Sequence, residues 1–467
     1  MKFKKKRFLN SLLKLISEQS GVISVTHVGS FFKNKLEEIS DIDIVVIVDE
    51  LKPENFTEIN DKVLNFNISR YFKGYDILLN STFGPLKVSK KNTLVIHLMI
   101  YSLEDHIKHT IESPFTTFDW EKSNQFKKRS LSSIQKTFNL SLQDFLNNYR
   151  GSNSYLEDLN SKKISSKRYE MDNNEIKLVR FTEDIDKKYE IEFSYHVIRN
   201  TVGNYLKLIL NKNTSDNFEQ YWNEYLPDLY EKYYSSFIKL KISKLNKDYQ
   251  EGFELDVTKR FILEFNDHLK NFEIDSKEII FLRHMETKLN AKGVFYGTHT
   301  DSEIIHDKVV LDSSITDKKF RIYSSESKRA ILSANKYSFS DIEILDGLNE
   351  ITYGSAENMK FSEYENSYYL NSLLWKFGID KRFPNGENHS DVLNRINLLI
   401  KKIPTNAVLF THLVPIRSFM GDYYDIPKKD WYKIYIPHNK PIKFLKYKNK
   451  MVSNIDRLLL SEIFKNL

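Results

Sequence analysis

The sequence contains no cysteine, which excludes disulfide bonds and thiolate metal ligands. Glycine (14) and proline (10) are scarce in a chain of 467 residues, which argues against flexible low-complexity linkers. No run of 20 apolar residues occurs, so we expect no membrane span. The hydrophobic fraction of 40% is sufficient for several cores. This length predicts two or three domains, and we expect a cytoplasmic protein.

The formal net charge is +7, but lysine is spread over the whole chain. The one basic cluster, residues 2–7, precedes a stretch at 8–16 whose apolar spacing predicts an amphipathic helix. We expect that helix to pack on a β-sheet in the N-terminal part of the chain. Nucleic-acid binding usually requires basic residues clustered on one surface. Because the lysines here are dispersed, the composition does not favour a nucleic-acid partner.

Five motifs rich in arginine, histidine and glutamate lie beyond about residue 276. Guanidinium and imidazole groups neutralise phosphate oxygens, and a neutral imidazole can also hold a phosphoryl group covalently. The apolar run 278–282 predicts a buried parallel strand that ends at Arg283 and His284, where open α/β sheets bind ligands. The motifs are 281–287 with Asn290, 323–325 with 328–330, 348–350 with Gly354, 384–387, and 410–412 with 416–417.

In this order the motifs resemble the histidine phosphatase superfamily, which is also called phosphoglycerate mutase-like. The resemblance covers about 276–450 and implies a three-layer α/β domain, which we place at 273–467. It implies that His284 is the nucleophile and that Glu350 protonates the leaving oxygen. It also implies that no metal cofactor is needed.

The same resemblance assigns the remaining positions of this site. Arg283, Arg329 and His412 would bind the transferring phosphoryl group. Asn290 and Thr287 would contact the substrate. Two positions depart from the family pattern, which usually has glycine where this chain has Met285 and a small pair where it has Leu413–Val414.

A second motif lies near the amino terminus. Gly29 and Ser30 are followed, after a spacer of ten residues, by Asp41 and Asp43 on an apolar strand. Because side chains alternate along a strand, both carboxylates are predicted on one face, where they could hold a divalent cation that bridges triphosphate oxygens. The glycine–serine turn would offer backbone N–H groups to the phosphates.

This pattern resembles the polymerase-β-type nucleotidyltransferase superfamily, and the resemblance implies a mixed sheet at 1–119 with Mg²⁺ as cofactor and a nucleoside triphosphate as ligand. The family adds a third carboxylate from a later strand. Asp76 is our candidate for it, although His97 lies on a neighbouring strand where an acid is expected. Residues 120–272 show helical spacing at several places and are interpreted as a helical companion domain, with a polar excursion at 151–186.

The chain is therefore expected to be a multidomain α/β and α+β protein with two activities. The C-terminal module would hydrolyse a small phosphorylated metabolite, and the N-terminal module would transfer a nucleotide to a small molecule. In one alternative, the N-terminal module has lost its metal and serves binding or regulation. In another, the C-terminal module is a mutase, but the short segment between Arg329 and Glu350 leaves little chain for a lid that excludes water.

Overall fold

The computed structural model describes every residue of the chain except 1, 30–41, 84–92, 138–139, 173–174, 185–186, 213, 215, 247–254, 298–299, 301, 306–311, 316–319, 340 and 448–449. The chain folds into two compact units. The first comprises Met1–Leu140, Asp144–Lys207 and Lys212–His268, and the second comprises Ser141–Gln143, Leu208–Asn211 and Leu269–Leu467. The finer division at residues 119 and 272 stays a prediction.

A mixed five-stranded sheet forms the base of the first unit, in the order β3-β5-β2-β1-β6. Strands β2 and β3 both pair in parallel with β5, and β1 is antiparallel to β2 and to β6. The five strands are β1 (Val22–Val28), β2 (Ile42–Val48), β3 (Asp76–Asn80), β5 (Thr93–Ser102) and β6 (Phe126–Lys128).

Both faces of this sheet are covered. Alternate residues of β2 point to opposite faces, so Ile44 and Val46 pack in one core while Val45 and Ile47 pack in another. The first core also contains apolar residues of helices α1 (Lys2–Ser17) and α2 (Pro53–Leu64), and the second contains residues of helices that lie within 103–134. The predicted amphipathic helix at 8–16 is thus part of α1.

The middle of the chain is mainly helical, but it also contains strands. The helices from the third to the tenth are α3 (Leu103–Glu112), α4 (Pro114–Trp120), α5 (Leu131–Ile134), α6 (Leu142–Ser161), α7 (Lys187–Leu210), α8 (Phe218–Tyr225), α9 (Pro227–Asn246) and α10 (Leu255–Asp275).

The polar excursion predicted at 151–186 holds the end of α6 and both strands of a β-hairpin. The hairpin is formed by β7 (Lys163–Asp172) and β8 (Glu175–Asp184), and the short strand β4 (Thr82–Phe83) pairs with β7. Most side chains of β8 are exposed, so the alternation that usually reveals a strand is weak in this sequence.

A six-stranded sheet, in the order β11-β10-β12-β9-β13-β14, forms the base of the second unit. The first four strands are parallel, and the last two are antiparallel additions at one edge. The strands are β9 (Lys277–Arg283), β10 (Arg321–Ser324), β11 (Ile342–Ile344), β12 (Ala407–Thr411), β13 (Ile442–Tyr447) and β14 (Lys450–Ser453).

Helices lie on both faces of this second sheet, which gives the three layers that the sequence predicts. Ile280 and Leu282 pack with Ala330 and Ala334 in one core, whereas the ring of Phe281 packs on the opposite face, 5.0 Å from the ring of Phe419. The helices are α11 (Lys328–Lys336), α12 (Phe361–Ser367), α13 (Tyr369–Lys376), α14 (His389–Lys402), α15 (Leu413–Tyr423) and α16 (Arg457–Phe464).

In the part of the chain that the structure describes, the helices are all too short or too polar to cross a membrane.

Candidate functional site

Two histidines meet where neighbouring parallel strands end. Arg283, the last residue of β9, is aligned with Thr411, the last residue of β12. His284 and His412 follow directly, and their ring centroids are 5.1 Å apart. The parallel pairing therefore brings together two motifs that lie almost 130 residues apart in the sequence.

Two hydrogen bonds define the tautomer of His284. Its Nδ1 lies 2.7 Å from the carbonyl oxygen of Met285, which can only accept, so Nδ1 carries the proton. Nε of Arg329, which can only donate, lies 3.3 Å from Nε2 of His284. Nε2 therefore presents an unprotonated lone pair.

His284 is also held in its neutral form. The side chain is 2% exposed, and burial is the main cause that lowers its pKa well below the usual 6.5. The positive charges of Arg329 and Arg283 lower the pKa further. A neutral imidazole whose Nε2 carries a lone pair instead of a proton has the electronic form that nucleophilic attack requires.

Arg329 connects the main groups of the site. It lies in the first turn of α11 and donates from its two terminal nitrogens to the carbonyl oxygens of Thr300 and Gly297, at 2.8 and 2.9 Å. One of these nitrogens also lies 3.2 Å from Nδ1 of His412. The guanidinium carbon stacks 4.5 Å from the ring centre of Tyr296. A guanidinium fixed on several sides is a preorganised charge.

Arg283 has an unused donor. Its Nη1 donates to the carbonyl oxygen of Ile436 at 2.7 Å, but its buried Nε has no hydrogen-bond partner among the described residues. An unpaired buried donor is costly, and an anion bound beside Arg283 would remove that cost.

His412 takes the tautomer opposite to that of His284. Because Nδ1 accepts from Arg329, the proton of the neutral ring is on Nε2, which donates to the hydroxyl of Ser325 at 2.7 Å. Burial and the charge of Arg329 lower the pKa of His412 well below its usual range. Both ring nitrogens thus have partners within the site.

Glu350 is the buried acid of this site. It is 6% exposed, and its Oε1 accepts from the backbone N–H groups of Ile351 at 3.0 Å and Val414 at 3.2 Å. Burial raises the pKa of Glu350, against the opposing effects of the Ile351 hydrogen bond and the positive charges of Arg329 and Arg283. A carboxyl group with a raised pKa is suited to donate a proton.

Thr287 and Asn290 form a local cluster. Oδ1 of Asn290 accepts from the backbone N–H of Thr287 at 3.1 Å and from its hydroxyl at 2.8 Å. The hydroxyl also contacts that of Tyr296 at 2.8 Å. With its oxygen so engaged, the amide nitrogen of Asn290 has no partner among the described residues and could donate to a ligand.

The motif at 384–387 supports Glu350 rather than entering the site. Arg395 donates to the carboxylate of Glu387 at 3.1 Å, and also to the carbonyl oxygens of Gly347 at 2.8 Å and Glu350 at 3.2 Å. Gly354 has a φ of +54°, and a Cβ placed on it would lie 2.1 Å from the carbonyl oxygen of Pro384. These contacts tie the loop that follows Glu350 to the 384–387 motif.

At both departures from the family pattern, a residue donates a hydrogen bond from its backbone N–H. Met285 is buried in the core beside α11, and its N–H donates to the hydroxyl of Ser333 at 2.9 Å. Val414 uses its backbone N–H for Glu350. Neither side chain replaces a catalytic group.

The sequence patterns did not indicate the roles of four residues of the site: Tyr296, Ser325, Arg395 and His438. Ser325 belongs to a recognised motif, so its position was known while its role was not. Arg395 lies outside every motif. Tyr296 and His438 also lie outside them and reach the site through loops, which the periodicity of the sequence does not predict.

The N-terminal site is described only in part. Gly29 follows β1 directly with a φ of +83°, and a Cβ placed on it would lie 2.4 Å from Oδ2 of Asp43. Ser30 and Asp41 lie outside the described residues. Asp43 is aligned with His97 on β5, and Nδ1 of His97 lies 2.9 Å from Oδ1 of Asp43.

Asp76 is not brought to this pair. It is the exposed first residue of β3 and is aligned with Thr93, whereas Asn80, four residues later, is aligned with His97. At a rise of about 3.3 Å per residue, Asp76 lies roughly 13 Å along the strand from the level of Asp43. The residue that faces Asp43 from β5 is the histidine, not a third carboxylate.

These residues do not form a complete magnesium site. Among the described residues, no group of three histidine, aspartate or glutamate side chains is arranged to hold a metal ion. Mg²⁺ prefers oxygen ligands in octahedral geometry, and Asp43 supplies one carboxylate that is already hydrogen-bonded to an imidazole. The fit to Mg²⁺ is therefore poor for the described part of the site.

Family models match both ends of the chain. Residues 279–454 match the histidine phosphatase superfamily (branch 1), and residues 9–123 match the nucleotidyltransferase domain. Both resemblances seen in the sequence are confirmed, and together they support an enzyme with hydrolase activity.

One curated relative is the 6-phosphofructo-2-kinase/fructose-2,6-bisphosphatase of Caenorhabditis elegans. It is 25% identical over 189 residues, which cover 38% of this chain and 40% of the relative. The matched region thus spans well under half of that bifunctional protein.

Solved phosphatases also resemble part of the chain. The α-ribazole phosphatase of Shigella flexneri is 16% identical, with 38% of this chain and 95% of that protein covered, at a TM-score of 0.32. A mycobacterial glucosyl-3-phosphoglycerate phosphatase is 15% identical, with 36% and 90% covered, at a TM-score of 0.31. At these identities and scores they carry no information on the substrate.

Proposed function

We propose that the C-terminal unit hydrolyses a phosphomonoester through a phosphohistidine on His284. The observation that carries this proposal is the unprotonated Nε2 of His284 beside the guanidinium of Arg329. The unpartnered Nε of Arg283 supports it, because that buried donor is suited to a phosphate oxygen.

In the first step, the lone pair of Nε2 forms a bond to phosphorus while the bond from phosphorus to the leaving oxygen breaks. Glu350 gives its proton to that oxygen, and the alcohol departs. Charge on the equatorial oxygens is stabilised by Arg283, Arg329 and His412.

In the second step, water attacks the phosphohistidine. The carboxylate of Glu350 takes a proton from the water, the N–P bond breaks, and inorganic phosphate leaves with His284 restored. Each step forms one bond to phosphorus and breaks one, and Glu350 returns to its starting protonation state.

The proposed substrate is a small phosphorylated metabolite. The relative from Caenorhabditis elegans is named as a fructose-2,6-bisphosphatase, so sugar phosphates are the first compounds to screen. Transfer of the phosphoryl group to a second metabolite, the mutase reaction, would appear in the same screen as a phosphorylated product without phosphate release.

The experiment is to quench the enzyme with labelled substrate during turnover and to locate the label. We expect an acid-labile, alkali-stable phosphoenzyme that is absent in His284→Ala. Since the nucleophile carries the covalent step, His284→Ala should lose several orders of magnitude in rate. Retention of more than roughly a tenth of the wild-type rate, only ~1.4 kcal/mol of barrier, would exclude His284 as the nucleophile.

For the N-terminal unit, the contact between Asp43 and His97 favours a nucleotide-binding or regulatory module. An imidazole stands where the family's third carboxylate was expected, so the described residues do not support a cluster of acids around a metal. Magnesium-dependent transfer of a nucleotide to a small molecule stays a prediction, because Ser30 and Asp41 lie outside the described residues. Triphosphate binding with and without Mg²⁺ distinguishes the two functions.

A further inference from the structure

The backbone of the catalytic Arg–His dipeptide is hydrogen-bonded from several directions. The N–H of His284 donates to the carbonyl oxygen of Thr411 at 3.0 Å, and the carbonyl oxygen of Arg283 accepts from the N–H of Asn439 at 3.0 Å. The N–H of Met285 donates to Ser333. These bonds fix the end of β9 relative to β12 and α11.

The carbonyl oxygen of His284 is bound by a side chain. Nδ1 of His438 lies 2.7 Å from it, and since a carbonyl only accepts, Nδ1 of His438 carries a proton and donates. The two imidazole rings are also in contact, with centroids 5.4 Å apart and planes at 63°. His438 thus touches both the main chain and the ring of the proposed nucleophile.

His438 belongs to a segment that binds this strand end repeatedly. Within residues 434–439, Ile436 accepts from Arg283, and Asn439 donates to the carbonyl oxygen of Arg283 and accepts from the hydroxyl of Tyr337 at 2.9 Å. The segment is therefore anchored on both sides of His438, which makes the imidazole a rigid donor.

The protonation state of His438 suits a fixed donor. Burial and the charge of Arg283 lower its pKa to about 3, against the hydrogen bond to His284. The ring is therefore neutral at ordinary pH, with its single proton on Nδ1. It adds no charge beside Arg283 while it binds the carbonyl oxygen.

We propose that His438 is a positioning residue, which orients the nucleophilic imidazole of His284 by donating from Nδ1 to the His284 carbonyl oxygen and by packing against its ring. The proposal rests on the function proposed for His284. Without that donor, the carbonyl loses its partner and the nucleophile can move away from in-line geometry. A displacement of about 1 Å can cost on the order of 100-fold in rate.

A matched pair of substitutions separates this role from others. The amide nitrogen of asparagine lies as many bonds from Cα as Nδ1 of histidine, so His438→Asn keeps a donor in place. The amide nitrogen of glutamine corresponds to Nε2, so His438→Gln keeps the polarity but moves the donor. His438→Ala removes the donor and the ring contact, and Lys440→Ala, an exposed position two residues later, serves as control.

The experiment measures kcat and KM of the full chain on a good phosphomonoester, with thermal unfolding of each variant. We expect His438→Ala and His438→Gln to lower kcat by about 10- to 100-fold, with KM changed by less than about threefold, and His438→Asn to restore kcat to within about threefold. Lys440→Ala should match the wild type.

Four results would overturn the proposal. Full activity in all three His438 variants would remove any role for this residue. If His438→Gln but not His438→Asn kept the activity or the stability of the wild type, the function of His438 would lie at Nε2. An active His284→Ala would overturn the proposed function as well, whereas an inactive His284→Ala with a fully active His438→Ala would refute the positioning role alone.

Discussion

Nε of Arg329 lies 3.3 Å from Nε2 of His284 and donates a hydrogen bond to it. This contact places a permanent positive charge beside the lone pair of the proposed nucleophile. The charge lowers the pKa of His284, in addition to the larger effect of burial, and so keeps the imidazole neutral at acidic pH. When a phosphoryl group binds, the same guanidinium is already in place for its oxygens.

The opposite pKa shifts of His284 and Glu350 predict an acidic pH range for turnover. His284 must be neutral, and its lowered pKa keeps it neutral as the pH falls well below 6.5. Glu350 must be protonated, and its raised pKa extends the protonated form to higher pH than for an ordinary glutamate. We expect kcat/KM to decrease as the pH rises through the pKa of Glu350, as measured by a pH–rate profile.

The control for this profile is the variant Glu350→Gln, measured on two substrates that differ in their leaving group. On an alkyl phosphate, loss of the acid should cost about 100-fold or more and abolish the alkaline limb, while an aryl phosphate, whose leaving oxygen needs less protonation, should lose much less. An alkaline limb that persists in Glu350→Gln would assign it to another group.

The phosphatase reaction is predicted to need no added metal. Arg283 and Arg329 already supply charged donors that stabilise phosphate oxygens, so a divalent cation has no necessary role. Treatment with EDTA, followed by dialysis, should leave turnover within about twofold of the untreated enzyme. Loss of activity that magnesium restores would contradict this prediction.

The N-terminal unit can be tested at His97. If the unit is a binding module, triphosphate affinity measured by calorimetry should change little when Mg²⁺ is removed. In His97→Asp a second carboxylate faces Asp43, and Mg²⁺ should then strengthen triphosphate binding by at least about tenfold, or ~1.4 kcal/mol, because the cation relieves repulsion between carboxylates and phosphates.

Wild-type binding that requires Mg²⁺ and disappears in Asp43→Asn would instead support metal-dependent nucleotidyl transfer. Thermal unfolding and far-UV circular dichroism of the same preparations report whether each variant is folded.

The loop after Glu350 is predicted to depend on Gly354. An alanine there would combine a positive φ of +54° with a Cβ 2.1 Å from the carbonyl oxygen of Pro384. Gly293 is the matched control, since its φ is +62° but the nearest atom to its Cβ is 3.8 Å away, on Phe361. Gly293→Ala should cost about 1 kcal/mol of stability, and Gly354→Ala about 1–3 kcal/mol more.

Both glycines lie in the second unit, so urea titrations that follow phosphatase activity will measure the difference in stability between the two variants. Equal midpoints for the two variants would show that the loop accommodates the side chain without displacement of the 384–387 motif.

Local sequence signals predicted the strands that carry the candidate site residues. The apolar runs before Arg283 and before His412 form parallel strands β9 and β12, because buried parallel strands are recognisable as short continuous apolar stretches. The hairpin at 163–184 was not predicted as such, because its largely exposed faces leave little periodicity.

Within the candidate site, side-chain roles were harder to predict than positions. The roles of the five proposed catalytic residues stay predictions, although the fold brings these residues together. His438 and Arg395 carry no local signal, since their contacts depend on loops that approach from distant parts of the chain. Asp76 was chosen as the acid beside an apolar strand, but strand register decides which residue faces Asp43, and register depends on pairing rather than on composition.

The sequence by itself determined which residue types are available: guanidinium, imidazole and carboxyl groups at the ends of apolar strands, and no thiol. Tertiary structure alone decided their chemical states. The lone pair on Nε2 of His284 depends on its neighbour Met285 and on the distant Arg329, and the raised pKa of Glu350 depends on burial. The imidazole beside Asp43 depends on the pairing of two strands. Protonation follows the local electrostatic environment, and that environment exists only once the chain has folded.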